Sequence, residues 1–304
     1  MERQSQFEGN RGTEEGKILQ LGPRRQAIAV YEPDNSIKKG YTAIFREITR
    51  EVLDNRWLTY QLFKRDFLAS YKQSLFGLFW AIALPIVSLL AFVLLSRAGL
   101  FAIGEVNIPY PLYAMLGLAF WQLFSTGLVG SSNALVNAGP MVAQIQFSKK
   151  SLVFAAAGQS VVAFFIQFCL ACLLMGLYRY PPAGTIVLVP AVVFPILLLA
   201  LGAGFLLSIL NGMMRDVGHV ISILMTFLLF LTPILYAKPK MGILADLTRL
   251  NPVYYLIAGA RDLVLAGRLS EPGGFAISVL FSMAAFALSL VIFHVTGTRI
   301  TERL

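Results

Sequence analysis

Apolar and polar positions in this chain separate into blocks. No charged side chain occurs from Gln73 to Ser96, Val106 to Ser148, Ser151 to Tyr178, Tyr180 to Met214 or Val220 to Ala237. The charges sit in narrow islands between these runs. A helix crosses the hydrocarbon of a bilayer with about 20 apolar residues. The blocks therefore predict an all-α polytopic membrane protein with six spans, at about 75–96, 111–137, 151–177, 185–211, 217–237 and 274–295. The second, third and fourth are long enough to tilt or to include an interfacial end.

The flanking segments read differently. Residues 1–40 are rich in Gly, Glu, Gln and Arg, the composition of a flexible tail. From Tyr41 the pattern changes. Ile44, Ile48 and Val52 recur every four residues and Arg50 precedes Asp54 by four, which predicts a short amphipathic helix. On the helix that follows, Trp57, Tyr60, Phe63, Phe67, Leu68 and Tyr71 fall on one face, and Lys64 lies within that arc. Gln61, Arg65, Asp66, Ser70 and Lys72 fall mostly elsewhere. This pattern predicts a helix lying in the membrane interface, rings among headgroups and charges in water. Residues 41–73 thus form an amphipathic unit ahead of a membrane domain at 74–304.

Between the fifth and sixth spans, 238–273 predicts two helical pieces, at about 241–249 and 252–266, broken at Asn251-Pro252. Asn suits the cap position and Pro the first helical turn. An apolar, helical loop of this length is expected to dip into the bilayer as a re-entrant element or to cap a cavity. Gly204, Ser208 and Gly212 repeat every four residues, as do Gly127 and Ser131. Such small-residue stripes let helices approach closely.

Composition removes the soluble classes. The chain is 57% hydrophobic and 13% charged, with mean hydropathy +0.70, where soluble domains carry about 25% charged residues. The net charge of +9 suits anionic headgroups beside the spans. With no folded basic module outside the membrane, no nucleic acid partner is expected. Thirteen of the 25 Lys and Arg precede residue 74, which places the N-terminus in the cytosol. Six spans return the C-terminus to that side. The outward segment 238–273 carries five Lys or Arg, against this rule. The first 40 residues contain no apolar h-region, so the first span is expected to double as insertion signal. Cys169 and Cys172 lie mid-span without a nearby His, and are expected to be small core residues.

Charge placement also bears on chemistry. Ten of the 16 acidic residues precede residue 74, and Glu105, Asp216, Asp246, Asp262, Glu271 and Glu302 lie near span ends or in loops. No catalytic or metal-ligating set is expected within the spans. Ion-coupled carriers use intramembrane ionisable groups, and these are missing from the apolar runs. No Gly-Lys-Ser/Thr phosphate loop exists, so the chain is expected to hold no cofactor and to take energy from a partner.

An ordered set of short motifs carries a resemblance. Leu62-Phe63-Lys64-Arg65-Asp66-Phe67, Tyr71-Lys72-Gln73-Ser74-Leu75-Phe76-Gly77, Trp80 and Pro85 are followed by Tyr110 to Tyr113, Gly117 and Trp121. Asn137 with Ile145-Gln146-Phe147-Ser148-Lys149 comes next, with Ser148-Lys149 in place of a usual Pro-Arg. Arg215-Asp216-Val217, Pro233, Tyr236, Leu250-Asn251-Pro252 and Arg261-Asp262 complete the series. Together they resemble the ABC-2 type permeases that export O-antigen, capsule or teichoic acid polysaccharides.

The resemblance implies a homodimer of six-span subunits, each paired with a separate ABC ATPase that binds ATP and Mg. It implies a lipid-linked glycan as substrate. ATPase contacts are implied at Trp57, Lys64, Arg65, Asp66, Phe67, Tyr71, Gln144, Phe147, Lys149, Arg215 and Asp216. Arg215-Asp216 equally fits a local ion pair closing a turn. Asn251, Pro252, Arg261 and Asp262 match the outer gate segment. Aromatic faces stack on sugar rings without fixed hydrogen bonds, which makes Phe92, Tyr110, Tyr113, Phe120, Trp121, Tyr236, Tyr254 and Tyr255 candidates for the substrate path. An interfacial aromatic belt accounts for the same rings. The same architecture serves ABC-2 permeases for drugs or small lipids. An intramembrane enzyme of glycan or lipid assembly is the reading from another class, and the missing acidic pairs oppose it.

Overall fold

The computed structural model describes residues 41–72, 76–77, 79–99, 104, 108–139, 148–214 and 216–300. The side chains of 41–44, 71 and 297–300 are outside that description, as are the tail 1–40 and positions Gln144, Phe147 and Arg215. The described residues form helices joined by turns, with no strand among them. We number them α1 (Tyr41–Asp54), α2 (Arg56–Lys72), α3 (Phe79–Arg97), α4 (Tyr110–Ala138), α5 (Lys149–Leu177), α6 (Val189–Met213), α7 (Asp216–Leu231), α8 (Ile243–Leu250), α9 (Pro252–Leu265) and α10 (Pro272–Ile300). A 3-10 turn, Gly184–Leu188, leads into α6.

Among the described residues, five helices are long and apolar enough to span a bilayer: α3, α4, α5, α6 with its 3-10 turn, and α10. The apolar run expected as a sixth span, at 217–237, is helical over only part of its length. Its helix stops at Leu231 after 16 residues, about 24 Å of rise. Pro233 disfavours helical backbone at Thr232, and the chain turns there, with Ile234 N–H donating to the Thr232 carbonyl at 2.7 Å.

α4 is the centre of the bundle. It is covered along most of its length, chiefly by α5 and α6. The main hydrophobic core runs through it, from Leu112, Met115 and Phe120 to Leu128, against Phe164 of α5, Ile196 of α6 and Ile257 of α9. A second core lies toward α1 and α2, where Phe205 meets Phe154, Phe286 and Phe293 edge-on or tilted. The small-residue stripe works at Gly204: a Cβ there would lie 2.4 Å from Ser131 Cβ. This contact brings α6 against α4 at a distance only glycine permits. Gly212 has open space around it, so the stripe ends one turn earlier than its sequence repeat.

Packing adds detail to α2 and corrects the expectation for the two cysteines. The strongly amphipathic helix is α1, whereas α2 spreads its apolar groups around its circumference. Trp57 and Tyr60 are exposed, Leu62 is buried, and the Phe63 ring packs on Gly158 of α5. The rings of α2 therefore divide between the bundle and the outside because α5 takes up part of the aromatic arc. Cys169 is exposed and Cys172 half-buried, so neither is a core residue; on α5 they sit on the flank that α4 and α6 leave uncovered.

Candidate functional site

The 29 residues of α5 set the two ends of the bundle about 43 Å apart. Lys150 marks the end shared with α1 and α2. Tyr180, just past the other end, marks the end shared with α9.

At the α9 end, side chains from five segments surround a cavity of about 390 Å3. Asn251 starts α9 by accepting the Val253 N–H at 3.0 Å, while its Nδ2 donates to Thr232 Oγ1 at 2.8 Å. This cap pins the start of α9 to the turn that ends α7. Further along α9, Arg261 is buried, with its guanidinium 3.6 Å from the centre of the Tyr113 ring. Arg261 also donates to the Ile234 carbonyl at 3.1 Å, and Tyr113 Oη donates to the Tyr236 carbonyl at 3.0 Å. A buried guanidinium stacked on a ring and hydrogen-bonded is a settled charge.

A second cation faces it. Lys238 donates to both Glu271 oxygens at 2.8 and 2.6 Å and lies 5.3 Å from the Tyr254 ring centre and 5.6 Å from that of Tyr255. Tyr254 donates to Glu271 at 3.2 Å. Burial, and then the charge and hydrogen bond of Glu271, raise the Tyr254 phenol well above its ordinary pKa. Asp262 accepts the Ser270 N–H at 3.0 Å. Lys238 and Arg261 are thus matched by Glu271 and Asp262 around one cavity.

The α1 end holds another charged cluster. Lys150 is buried yet paired with Glu51 of α1, and its Nζ lies 2.9 Å from Nδ1 of His294 in α10. Ser148 donates to the other Glu51 oxygen at 2.6 Å. Burial acts to raise the Glu51 pKa, but the bonds from Lys150 and Ser148 and the charge of Lys150 hold it below 4.5. Nearby, Asn211 Nδ2 donates to Asn133 Oδ1 at 2.8 Å and to the Ser132 carbonyl at 3.1 Å, and its own Oδ1 accepts the Gly218 N–H at 2.9 Å. These bonds fasten the α6–α7 turn to α4.

The sequence profile of the ABC-2 type transporter family matches residues 58–265, from α2 through α9. The chain belongs to the ABC-2 type transporter family. It is similar to an O-antigen export system permease protein of Myxococcus xanthus, 28% identical over 230 residues that cover 74% of this chain and 86% of that one. An O-antigen export system permease protein of Klebsiella pneumoniae is 24% identical over 239 residues, 75% of this chain and 86% of the other.

In this ABC-2 permease the candidate residues separate by position. Tyr113, Tyr254, Tyr255, Arg261 and Asp262 meet at the cavity. Asn251 and Pro252 form the start of α9 below it. Phe92 of α3 stands 6.5 Å from Phe230 of α7, ring centre to ring centre. Tyr110 is half-buried and its hydroxyl is enclosed, with no hydrogen-bond partner among the described residues. Tyr236 donates to the Phe230 carbonyl at 2.8 Å. Phe120 and Trp121 differ from expectation: both are buried in the main core, with Phe120 against Phe164 and Phe168, because they lie on the covered side of α4, while Gln122 beside them is exposed.

At the other end, Trp57, Lys64 and Arg65 are exposed on α2, and Asp66 pairs with its neighbour Arg65 at 2.7 Å. Phe67 stacks on Phe63, Lys149 is half-buried, and Asp216 opens α7. Gln144, Phe147, Arg215 and the Tyr71 side chain lie outside the described residues. Sequence reasoning missed Glu51, Lys150 and His294 as a set. The available signal was three ionisable residues at the edges of apolar blocks, and spacing alone cannot join positions 51, 150 and 294.

Proposed function

We propose that this chain is the transmembrane subunit of an ATP-driven exporter that carries a lipid-linked polysaccharide across the cytoplasmic membrane of a bacterium. The observation that carries the reading is the ordered motif series from Leu62 to Asp262, within the family match at 58–265. Similarity to O-antigen export permeases across most of both chains supports it.

Two chains form the transporter, each joined to a separate ATPase subunit that binds ATP and Mg. The exposed apolar faces of α3 and α7, with Leu84, Val87 and Leu90 on one and Ile223, Leu224 and Phe227 on the other, suit contact with a second copy or with lipid. The ATPase docks at the α1 and α2 end, on the cytosolic side with both termini, meeting Trp57, Lys64, Arg65, Asp66, Phe67, Tyr71, Gln144, Phe147, Lys149, Arg215 and Asp216. α8 and α9 form the outer gate, and α7 completes a sixth crossing with the turn that follows it.

Reconstitution with the ATPase in liposomes tests the proposal. Lipid-linked glycan extracted from the producing cells is expected to stimulate ATP hydrolysis and to move across the bilayer with ATP. Stimulation by drugs or small lipids alone, without effect of the glycan, overturns it.

A further inference from the structure

The cavity at the α9 end has a composition that selects among ligands. Its volume, about 390 Å3, lies at the small end of pockets that enclose organic molecules, enough for one or two sugar rings and too little for a glycan chain. Its floor is buried: Tyr113, Tyr254 and Arg261 are almost fully covered. Its mouth is not, since Tyr255, Lys238 and Glu271 are half-buried and Ser270 is exposed. It is therefore a built recess with an opening.

Charge decides the ligand class. A site for phosphate or pyrophosphate carries surplus positive charge or converging backbone N–H groups. Among the described residues, Lys238 and Arg261 are balanced by Glu271 and Asp262, and both carboxylates face the cavity. An anion entering it meets two carboxylates whose partners are already engaged. An apolar drug or acyl chain fits no better, because it strands these polar groups without water. A neutral polyol satisfies both requirements. Its hydroxyls donate to the lone pairs that remain on the carboxylates, each of which offers about four, and accept from the Lys238 ammonium. Its ring faces lie on tyrosine, and Tyr254 and Tyr255 present two rings 5.2 Å apart in an edge-to-face pair.

We infer that this recess is a binding site for a neutral saccharide unit of the transported glycan, one recess in each subunit, seated between α9 and the segments carrying Lys238 and Glu271. The inference rests on the glycan-export reading. It adds a consequence for the gate: a seated sugar bridges the Lys238 turn, α9 and the Ser270–Glu271 turn, so occupancy braces α9 against the start of α10.

The test uses the complete permease–ATPase complex in lipid nanodiscs. The probes are the water-soluble glycan released by mild acid from the producing cells' lipid-linked pool, and inorganic pyrophosphate. Binding is read by saturation-transfer difference NMR, and transport of the lipid-linked glycan is measured in parallel. Ala258 lines the recess, so Ala258→Phe fills it; glycan binding is expected to weaken by at least about tenfold. Glu271→Gln leaves the site with one surplus positive charge and is expected to gain pyrophosphate binding that wild type lacks. If Ala258→Phe does not assemble, Glu271→Gln decides alone. Unchanged glycan binding in Ala258→Phe, or stronger binding of pyrophosphate than glycan by wild type, overturns the recess while leaving glycan export intact. A wild-type complex that neither binds nor moves the glycan overturns both.

Discussion

Glu51 and Lys150, 99 positions apart, form an ion pair that ties the amphipathic helix α1 to the first turn of α5. The Lys150 side chain is 6% exposed and that of Glu51 30%. Breaking a covered pair strands one charge, so Glu51→Gln is expected to cost about 3 kcal/mol, at the low end for such pairs because Glu51 keeps some water contact. The double variant Glu51→Gln with Lys150→Met removes both charges and is expected to recover most of that loss. Thermal melts of the four proteins in a double-mutant cycle measure the coupling; additive losses would contradict it.

Acid follows from the same pair. The folded-state pKa of Glu51 is depressed below its ordinary 4.5. A depressed carboxylate contributes stability that is fully present above the unfolded value and is lost as pH falls through the folded one. The melting difference between wild type and Glu51→Gln is therefore expected to be flat above pH about 5 and to shrink as acid passes below 4.5. A difference that persists unchanged at pH 3 removes Glu51 as its source.

Gly218 faces the paired amides. A Cβ on it would lie 2.6 Å from Asn133 Oδ1. Gly218→Ala is expected to lose about 1–3 kcal/mol through forced displacement. With Asn133→Ala already in place the same change should cost less, with only the Asn211 amide atoms, 3.2 Å from the added Cβ, left to give way. Melting temperatures of the single and double variants read this directly.

Arg261 stacks its planar guanidinium on Tyr113 while bonding the Ile234 carbonyl, and a lysine ammonium is a point charge that cannot do both. Arg261→Lys is expected to lose about 2 kcal/mol. Amide exchange along α9 should then speed up by roughly 30-fold, with little change in α5. Uniform loss of protection across the bundle would mean that Arg261 supports global folding instead.

Topology is checked with single cysteines in a Cys169→Ser, Cys172→Ser background. Ser270→Cys is expected to react with a membrane-impermeant maleimide in intact spheroplasts. Thr49→Cys, on an exposed face of α1, should react only after permeabilisation. The opposite pattern reverses the proposed orientation.

Charge-free blocks marked the five long helices within a few residues, because lipid imposes one rule on every span: apolar outside and backbone satisfied within. The Asn251-Pro252 break was equally legible, since capping is decided by neighbours in sequence. The length of α7 was misjudged because Ile234 and Leu235 extend its apolar run, yet they are buried in the core past the Pro233 turn. The aromatic arc of α2 left its partner open, since such an arc looks the same whether it meets headgroups or another helix. The cavity charges, and the cluster of Glu51, Lys150 and His294, depend on contacts between distant segments. Only tertiary packing brings such groups together.

α4 carries a final consequence. It is the least hydrophobic of the five long helices, and 78% of its most apolar stretch is buried within the protein. The helices that cover it, α5 and α6, are made after it. While the chain is being synthesised, α4 therefore enters the lipid with Ser131, Ser132 and Asn133 still lacking their later neighbours, and its place becomes fixed only when those neighbours arrive. Substitutions in α5 or α6 that weaken this cover should lower the yield of inserted protein more than they harm the transporter once assembled.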